Sequence, residues 1–183
     1  MKIIVELVSN RSIKEVSGVF NIVSLANNNS FCKTGNNATD LEYLINNYRK
    51  SNGLPALPLS SSLAKVAKAH VKDVAIYHPE NKCSKGNEHS WSSNGQWKGG
   101  CYEPKNSSTF KIMWLKPKEI ADDNNFMVMR FFMEVQPLRK MLNGWKTSSG
   151  HNDVILNKGV WSGYKWTGMA AANYGAYWVV WFE

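Results

Sequence analysis

The side chains of this 183-residue chain best suited to chemistry are its four histidines, His70, His78, His89 and His151. Neutral imidazoles held across a cleft are ligands that zinc and copper favour, and they leave coordination positions open for water. Because imidazole titrates near neutral pH, two of them could instead act as a general acid and base. The surroundings of His70, an apolar stripe, favour a buried histidine bonded to backbone, whereas His78 beside Pro79 indicates an exposed loop.

Stronger catalytic signatures are absent from the sequence. It has no Gly-x-Ser-x-Gly elbow, no His-Glu-x-x-His zinc motif and no glycine-rich phosphate loop. Ser148 and Ser149 precede His151 and could be drawn as a hydrolase pair, but serine and histidine so close in sequence are common in turns and helix caps. We therefore expect a binding protein rather than an enzyme.

The three cysteines indicate the cellular compartment of the protein and a candidate site of lipid attachment. Cys83 and Cys101 enclose a segment rich in Ser, Asn and Gly, which has little core of its own and would gain from a disulfide in an oxidising compartment. In a reducing compartment they would be buried thiols, and the residues alone leave both alternatives open. Cys32 follows short apolar runs with basic residues between them, so it is a candidate lipidation site after an export leader. Alternatively, residues 1–38 are an ordered extension.

Regular elements begin after residue 38. Thr39 or Asp40 is predicted to cap a first helix, and a serine in 60–62 a second, which carries His70 on its apolar face. Apolar residues at helical spacing predict a third helix at 138–145, followed by a short fourth helix. The middle of the chain is expected to be rich in loops.

The carboxyl end predicts a hairpin. Residues 164–172 and 176–182 are aromatic and apolar, and Asn173, Tyr174 and Gly175 between them form a turn signal. The run from 177 to 182 is almost continuously apolar, which is typical of a strand buried on both faces. Helices should therefore cover this sheet on either side.

The net charge of +8 could suggest a nucleic-acid partner, but the lysines are dispersed. The densest groups are Lys65, Lys68 and Lys72, and Lys111, Lys116 and Lys118. The first group is spaced like a solvated helix face and the second forms no basic arm, so we expect solvated lysines and no nucleic-acid partner. No apolar stretch is long enough for a membrane helix, so any membrane contact is expected only through a lipid anchor.

Aromatic side chains are concentrated in the irregular middle of the chain. These residues are Trp91, Trp97, Tyr102, Phe110 and Trp114. They could line a ligand groove, or they could pack a long loop onto the body of the protein. The sequence leaves these two interpretations open.

Several short motifs together resemble a known family. These are His-Ser-Trp at 89–91, Gly-Trp at 144–145, Ser-Ser-Gly-His at 148–151 and the apolar run at 177–182. In this order and spacing they are similar to the CAP superfamily of cysteine-rich secretory, antigen 5 and pathogenesis-related 1 proteins, in its bacterial outer-surface form. The resemblance covers residues 39–183, which we take as one CAP domain.

The resemblance implies an α+β fold, a three-layer α-β-α sandwich with a central antiparallel sheet. It also implies a cavity lined by His89 and His151, with Glu134 as the candidate acid and His70 as a weaker member. The two histidines would then be the metal ligands. The second acid of the family has no counterpart in 138–143.

The resemblance further bears on the cysteines. Gly100 and Ile112 stand where relatives with the His-Ser-Trp motif carry a second disulfide, which leaves Cys83 and Cys101 as the surviving pair.

Taken together, these features predict a secreted or surface-attached, extracytoplasmic binding module. Its expected partners are a sterol, another lipid, or a protein of a host or cell surface. No cofactor is required on this interpretation. The alternative is a zinc-dependent hydrolase that uses a cleft between His89 and His151.

Overall fold

Helices and one small sheet make up the part of the chain that the computed structural model describes, residues 37–124, 129–133 and 138–183. The helices are α1 (Asn37–Ser51), α2 (Ser61–Tyr77), α3 (Lys111–Trp114), α4 (Lys116–Ala121), α5 (Leu138–Thr147) and α6 (Ser149–Ile155), and the strands are β1 (Met129–Met133), β2 (Met169–Tyr174) and β3 (Tyr177–Phe182). Short 3-10 helices cover Pro79–Lys82, Ser107–Thr109 and Gly159–Trp161. Within these residues no helix is long and apolar enough to cross a membrane.

Helix α2 begins at a serine cap, as its sequence predicts. The hydroxyl of Ser60 accepts a hydrogen bond from the backbone N–H of Leu63, which satisfies one of the free donors of the first turn. The helix ends at His78, which takes a left-handed conformation with φ of 44° and donates its N–H to the carbonyl of Val74. Helix α5 confirms the predicted third helix and buries Trp145.

The sheet is antiparallel, with β3 between β1 and β2. Phe182 lies opposite Met129 on one side and Met169 on the other. This arrangement confirms the antiparallel sheet and the α+β class.

Both faces of the central strand are buried, as its apolar sequence predicts. Val179 and Trp181 pack with α2 residues in one core cluster. Val180 and Phe182 point to the opposite face and have no exposed area. On that face, Phe182 contacts the ring of Trp166 with centroids 6.0 Å apart. The three-layer sandwich itself remains a prediction.

The outer edge of β2 is covered by side chains and loop. The carboxylate of Glu42 in α1 accepts a hydrogen bond of 2.7 Å from the backbone N–H of Ala171. Ser60 donates its N–H to the carbonyl of Met169. Burial raises the pKa of Glu42. These contacts use the polar groups that an edge strand would otherwise expose.

Two parts of the prediction need correction. Strand β2 begins at Met169, not at residue 164, because the Trp166 indole turns toward α6 and donates to the Val154 carbonyl at 2.8 Å. The middle of the chain also contains α3, α4 and β1, where mainly loops were expected.

The amino-terminal predictions lie outside the described residues. This applies to the leader and to the lipidation site at Cys32. The boundary between residues 38 and 39 remains a prediction.

Candidate functional site

The site is carried by the segment from Cys83 to Tyr102, and a disulfide closes that segment. Cys83 and Cys101 are bonded, with Cα atoms 5.6 Å apart, which confirms the predicted pair. Inside the disulfide, Trp91 and Gly100 exchange two backbone hydrogen bonds of 2.9 Å each. The disulfide and these two backbone hydrogen bonds therefore fix the base of the segment.

Helix α2 holds the same segment from below. The Nε2 atom of His70 lies 3.2 Å from the Ser90 carbonyl oxygen, and its ring stacks on Trp91 with centroids 3.8 Å apart. Buried Asp73 accepts hydrogen bonds from the backbone N–H of Ser92, at 2.8 Å, and from the Ser92 hydroxyl. The structure thus places His70 in the core beneath the loop, where it positions backbone next to His89.

The two other predicted site histidines lie close enough for a charge on His151 to affect His89. The Nδ1 atom of His89 is buried and has no hydrogen-bond partner among the described residues. Burial and the positive charge that His151 would carry lower the pKa of His89 to about 4. Burial also lowers the pKa of His151, whose Nδ1 lies 2.7 Å from the hydroxyl oxygen of Ser148. Both imidazoles are therefore neutral at pH 7.

Stacked rings lead from His89 toward the surface. The imidazole stacks on Tyr102 with centroids 4.7 Å apart, and Tyr102 stacks on Phe110 at 4.9 Å. Phe110 meets Trp114 edge to face at 6.3 Å. Trp114 and Leu115 are each 38% exposed, which is unusual for neighbouring large apolar side chains. We call Tyr102, Phe110 and Trp114 the aromatic row.

One family model matches most of the described chain. The model of the cysteine-rich secretory protein family, CAP, matches residues 42–182. The chain belongs to the CAP family. The comparison with curated proteins finds no match.

Solved CAP structures give the same fold at low identity. An extracellular protein of Bacillus anthracis that contains an SCP domain has a TM-score of 0.56 and 20% identity over 80% of this chain and 39% of its own. An outer surface protein of Borrelia burgdorferi has a TM-score of 0.51 and 18% identity over 79% of this chain and 89% of its own. A cysteine-rich secretory protein of Staphylococcus aureus has a TM-score of 0.52 and 14% identity, and this chain spans 37% of its length.

The described residues of this CAP domain do not make a complete zinc site. Zinc sites take three or four protein ligands, and His89 and His151 supply two. Among residues 37–124 and 138–183, no three His, Cys, Asp or Glu side chains are grouped to hold a metal ion. Glu134, the predicted acid, lies outside the described residues.

Lys116 corrects the expectation of solvated lysines. Its side chain is fully buried and donates to the Lys98 carbonyl at 2.6 Å and to the Glu119 carboxylate at 2.5 Å. Its ammonium group also lies 5.3 Å from the ring centre of Trp91. It therefore helps to hold the site loop, a role that its place among other lysines in sequence did not indicate.

The loop aromatics divide between the two interpretations left open by the sequence. Trp91 is 2% exposed and belongs to the core cluster, and Trp97 donates its indole N–H to the Ser92 carbonyl at 3.0 Å. These two rings fasten the loop to the body of the domain. Tyr102, Phe110 and Trp114 instead lead outward from His89. No signal in the sequence separated the two sets, because their roles depend on how the loop folds back on α2.

Proposed function

We propose that this protein is an extracytoplasmic CAP-domain binding module for a hydrophobic ligand with one polar end, such as a sterol or another lipid. The observation that carries this proposal is the continuous contact of rings from half-buried His89 through the aromatic row to partly exposed Trp114. A row of ring faces and edges offers apolar contact area without a charged group.

The inner end of the row supplies the polar contact. The Nδ1 atom of His89 is buried and has no partner among the described residues, and such an atom costs about 1–3 kcal/mol when it is left unsatisfied. A hydroxyl or protonated carboxyl group on a ligand could donate to the neutral imidazole. The low pKa of His89 matters here because a charged imidazole would be a poor neighbour for an apolar ligand.

Two observations support a location outside the cytoplasm. The Cys83–Cys101 disulfide closes a segment rich in Ser, Asn and Gly, and disulfides persist in oxidising compartments. Two similar structures are named as an extracellular protein and an outer surface protein. A protein of a host or cell surface is the other partner that suits this location. The dispersed lysines still give no reason to expect nucleic acid.

The test is a titration with dehydroergosterol and cis-parinaric acid, whose emission rises when tryptophan transfers energy to the bound probe. Trp114→Ala should weaken binding about tenfold, because it removes roughly 1.5 kcal/mol of apolar contact. Trp114→Phe should retain most of the affinity. Ile76→Ser is the matched control, since Ile76 is 50% exposed on α2 and lies outside the row. Equal affinities for wild type and Trp114→Ala would contradict the proposal.

The alternative proposal is a zinc-dependent hydrolase at His89 and His151. The closeness of two neutral imidazoles favours it, and a third ligand would have to come from outside the described residues. Calorimetric titration with zinc tests it directly. Binding that His89→Ala and His151→Ala both abolish would support the alternative, and the absence of heat from the wild type would exclude it.

A further inference from the structure

A second surface, remote in sequence from the aromatic row, presents apolar side chains to solvent. Val160 is 82% exposed, more than any other large apolar side chain in the described residues, and Tyr164 is 41% exposed. Trp161 lies half-buried between them. These residues belong to one loop, residues 158–165, which we call the apolar loop.

The apolar loop is fixed by its own backbone. Asn157 and Gly159 hold positive φ angles of 50° and 54°, which turn the chain sharply after α6. Trp161 donates its N–H to the Lys158 carbonyl at 2.9 Å, and Tyr164 donates to the Trp161 carbonyl at 3.0 Å. Because these groups are already paired, contact with a partner would cost little ordering of the chain.

Side chains join the loop to the body of the domain. The amide of Asn157 donates to the Tyr164 carbonyl at 2.8 Å, while its oxygen accepts from buried Arg49 at 2.9 Å. The ring of Trp161 lies 5.5 Å from Tyr164 and 5.6 Å from Trp166, and Trp166 is itself buried. The base of the loop is thus rigid, and Val160 remains at its tip.

Charge at the two ends of the loop indicates what the tip contacts. Lys158 and Lys165 are exposed on either side of the apolar residues. One described acid, Asp153, lies at the turn itself, where its carboxylate oxygen would be 2.7 Å from a Cβ atom on Gly159. Trp and Tyr favour the boundary between lipid headgroups and acyl chains, and lysines beside them attract anionic lipids. A rigid apolar tip between two ammonium groups matches that boundary.

We propose that the apolar loop docks on the surface of an anionic lipid bilayer, with Val160 at the acyl boundary and Lys158 and Lys165 at the phosphates. This contact uses none of the residues of the proposed ligand site. It departs from the expectation that membrane contact is confined to an amino-terminal lipid anchor.

The experiment measures sedimentation of the full chain with vesicles of phosphatidylcholine containing phosphatidylglycerol, and with vesicles of phosphatidylcholine alone. The wild type should bind the anionic vesicles and bind the neutral vesicles much more weakly. Val160→Ser should weaken binding about tenfold, which corresponds to the burial of one valine side chain. The double variant Lys158→Gln/Lys165→Gln should weaken it about thirtyfold, since each lysine near an anionic surface contributes about 1 kcal/mol.

Matched controls lie elsewhere on the domain. Ile76→Ser removes an apolar side chain that is 50% exposed on α2, and Lys68→Gln removes an exposed lysine on the same helix. Both should bind like the wild type. The proposal is wrong if the full chain does not bind anionic vesicles, or if the control variants weaken binding as much as the loop variants do.

Discussion

His89 illustrates how the surroundings of a side chain select its chemistry. The same imidazole on a surface would be charged below its ordinary pKa of about 6.5, whereas here burial and nearby His151 keep it neutral to about pH 4. A neutral, desolvated imidazole that stacks on Tyr102 is suited to contact with an apolar ligand. The residue type suggested acid-base or metal chemistry, but its surroundings favour binding.

The low pKa of His89 predicts a loss of stability in acid. The unfolded chain takes up this proton near pH 6.5 and the folded chain only near pH 4, so folding becomes less favourable as the pH falls between these values. The contribution reaches about 3 kcal/mol at pH 4. His89→Phe keeps a ring against Tyr102 but cannot be protonated, so its free energy of unfolding should fall less over this range. Urea unfolding from pH 7 to pH 4 measures the difference.

His78→Phe is the control for that measurement. The His78 side chain is 42% exposed, and its replacement should leave the wild-type pH dependence in place. A wild type and a His89→Phe variant with parallel curves would show that His89 does not set the acid sensitivity.

At the scale of elements, the sequence correctly predicted features that depend only on neighbouring residues. The cap at Ser60 and the apolar stripe of α2 lie within a few residues of sequence and were predicted correctly. The predicted start of β2 was wrong. The observed start depends on the contact of Trp166 with Phe182, sixteen positions away, and on the hydrogen bond from Trp166 to Val154. The spacing of apolar residues along the sequence does not reveal contacts of this kind.

The candidate site shows the same division. The resemblance selected His89 and His151, and the structure brings them within electrostatic reach of each other. It could not place Lys116 beneath Trp91, nor separate the aromatic row from the rings that hold the loop. Those placements follow from the disulfide and from Asp73, which fix the loop on α2.

A second disulfide can be added where the resemblance places one. A Cβ atom on Gly100 would lie 2.9 Å from the Cδ1 atom of Ile112, so the Ile112 side chain points toward Gly100. Gly100→Cys/Ile112→Cys should therefore oxidise spontaneously and close a short loop. The gain is about 3 kcal/mol for a loop of this size, reduced to about 2 kcal/mol by the apolar contacts that Ile112 loses. Thiol titration and urea unfolding, each with and without reductant, measure both effects.

The single variants are the controls for this prediction. Gly100→Cys brings a side chain against Ile112, and Ile112→Cys removes methyl groups that pack on the core, so each alone should lower stability. Two free thiols in the double variant under oxidising conditions would contradict the prediction.

At the scale of the whole domain, one buried cation connects segments far apart in sequence. Arg49 at the end of α1 is 2% exposed and donates from Nε to the Pro55 carbonyl at 3.1 Å. Its Nη1 atom donates to the Ile155 carbonyl at 2.6 Å and to the Asn157 side chain at 2.9 Å. Arg49 therefore joins α1, the turn that follows it, the end of α6 and the root of the apolar loop. Burial lowers the pKa of its guanidinium, but three hydrogen bonds hold the charged form in place.

Arg49→Lys should destabilise the domain although it preserves the charge. An ammonium group cannot reproduce the planar fork that reaches three oxygens in different directions, so at least one buried carbonyl loses its partner. The expected loss in the free energy of unfolding is about 2–4 kcal/mol, because hydrogen bonds to charged groups contribute about 1.5–3 kcal/mol each. Lys50→Arg is the matched control, since Lys50 is exposed on the same turn and its replacement should change stability by less than about 0.5 kcal/mol.

Because Asn157 orients the root of the apolar loop, Arg49→Lys should also speed hydrogen exchange at the amides of Trp161 and Tyr164 more than at those of α2. Uniform exchange changes across the domain would mean that Arg49 contributes only to global stability and does not hold the loop.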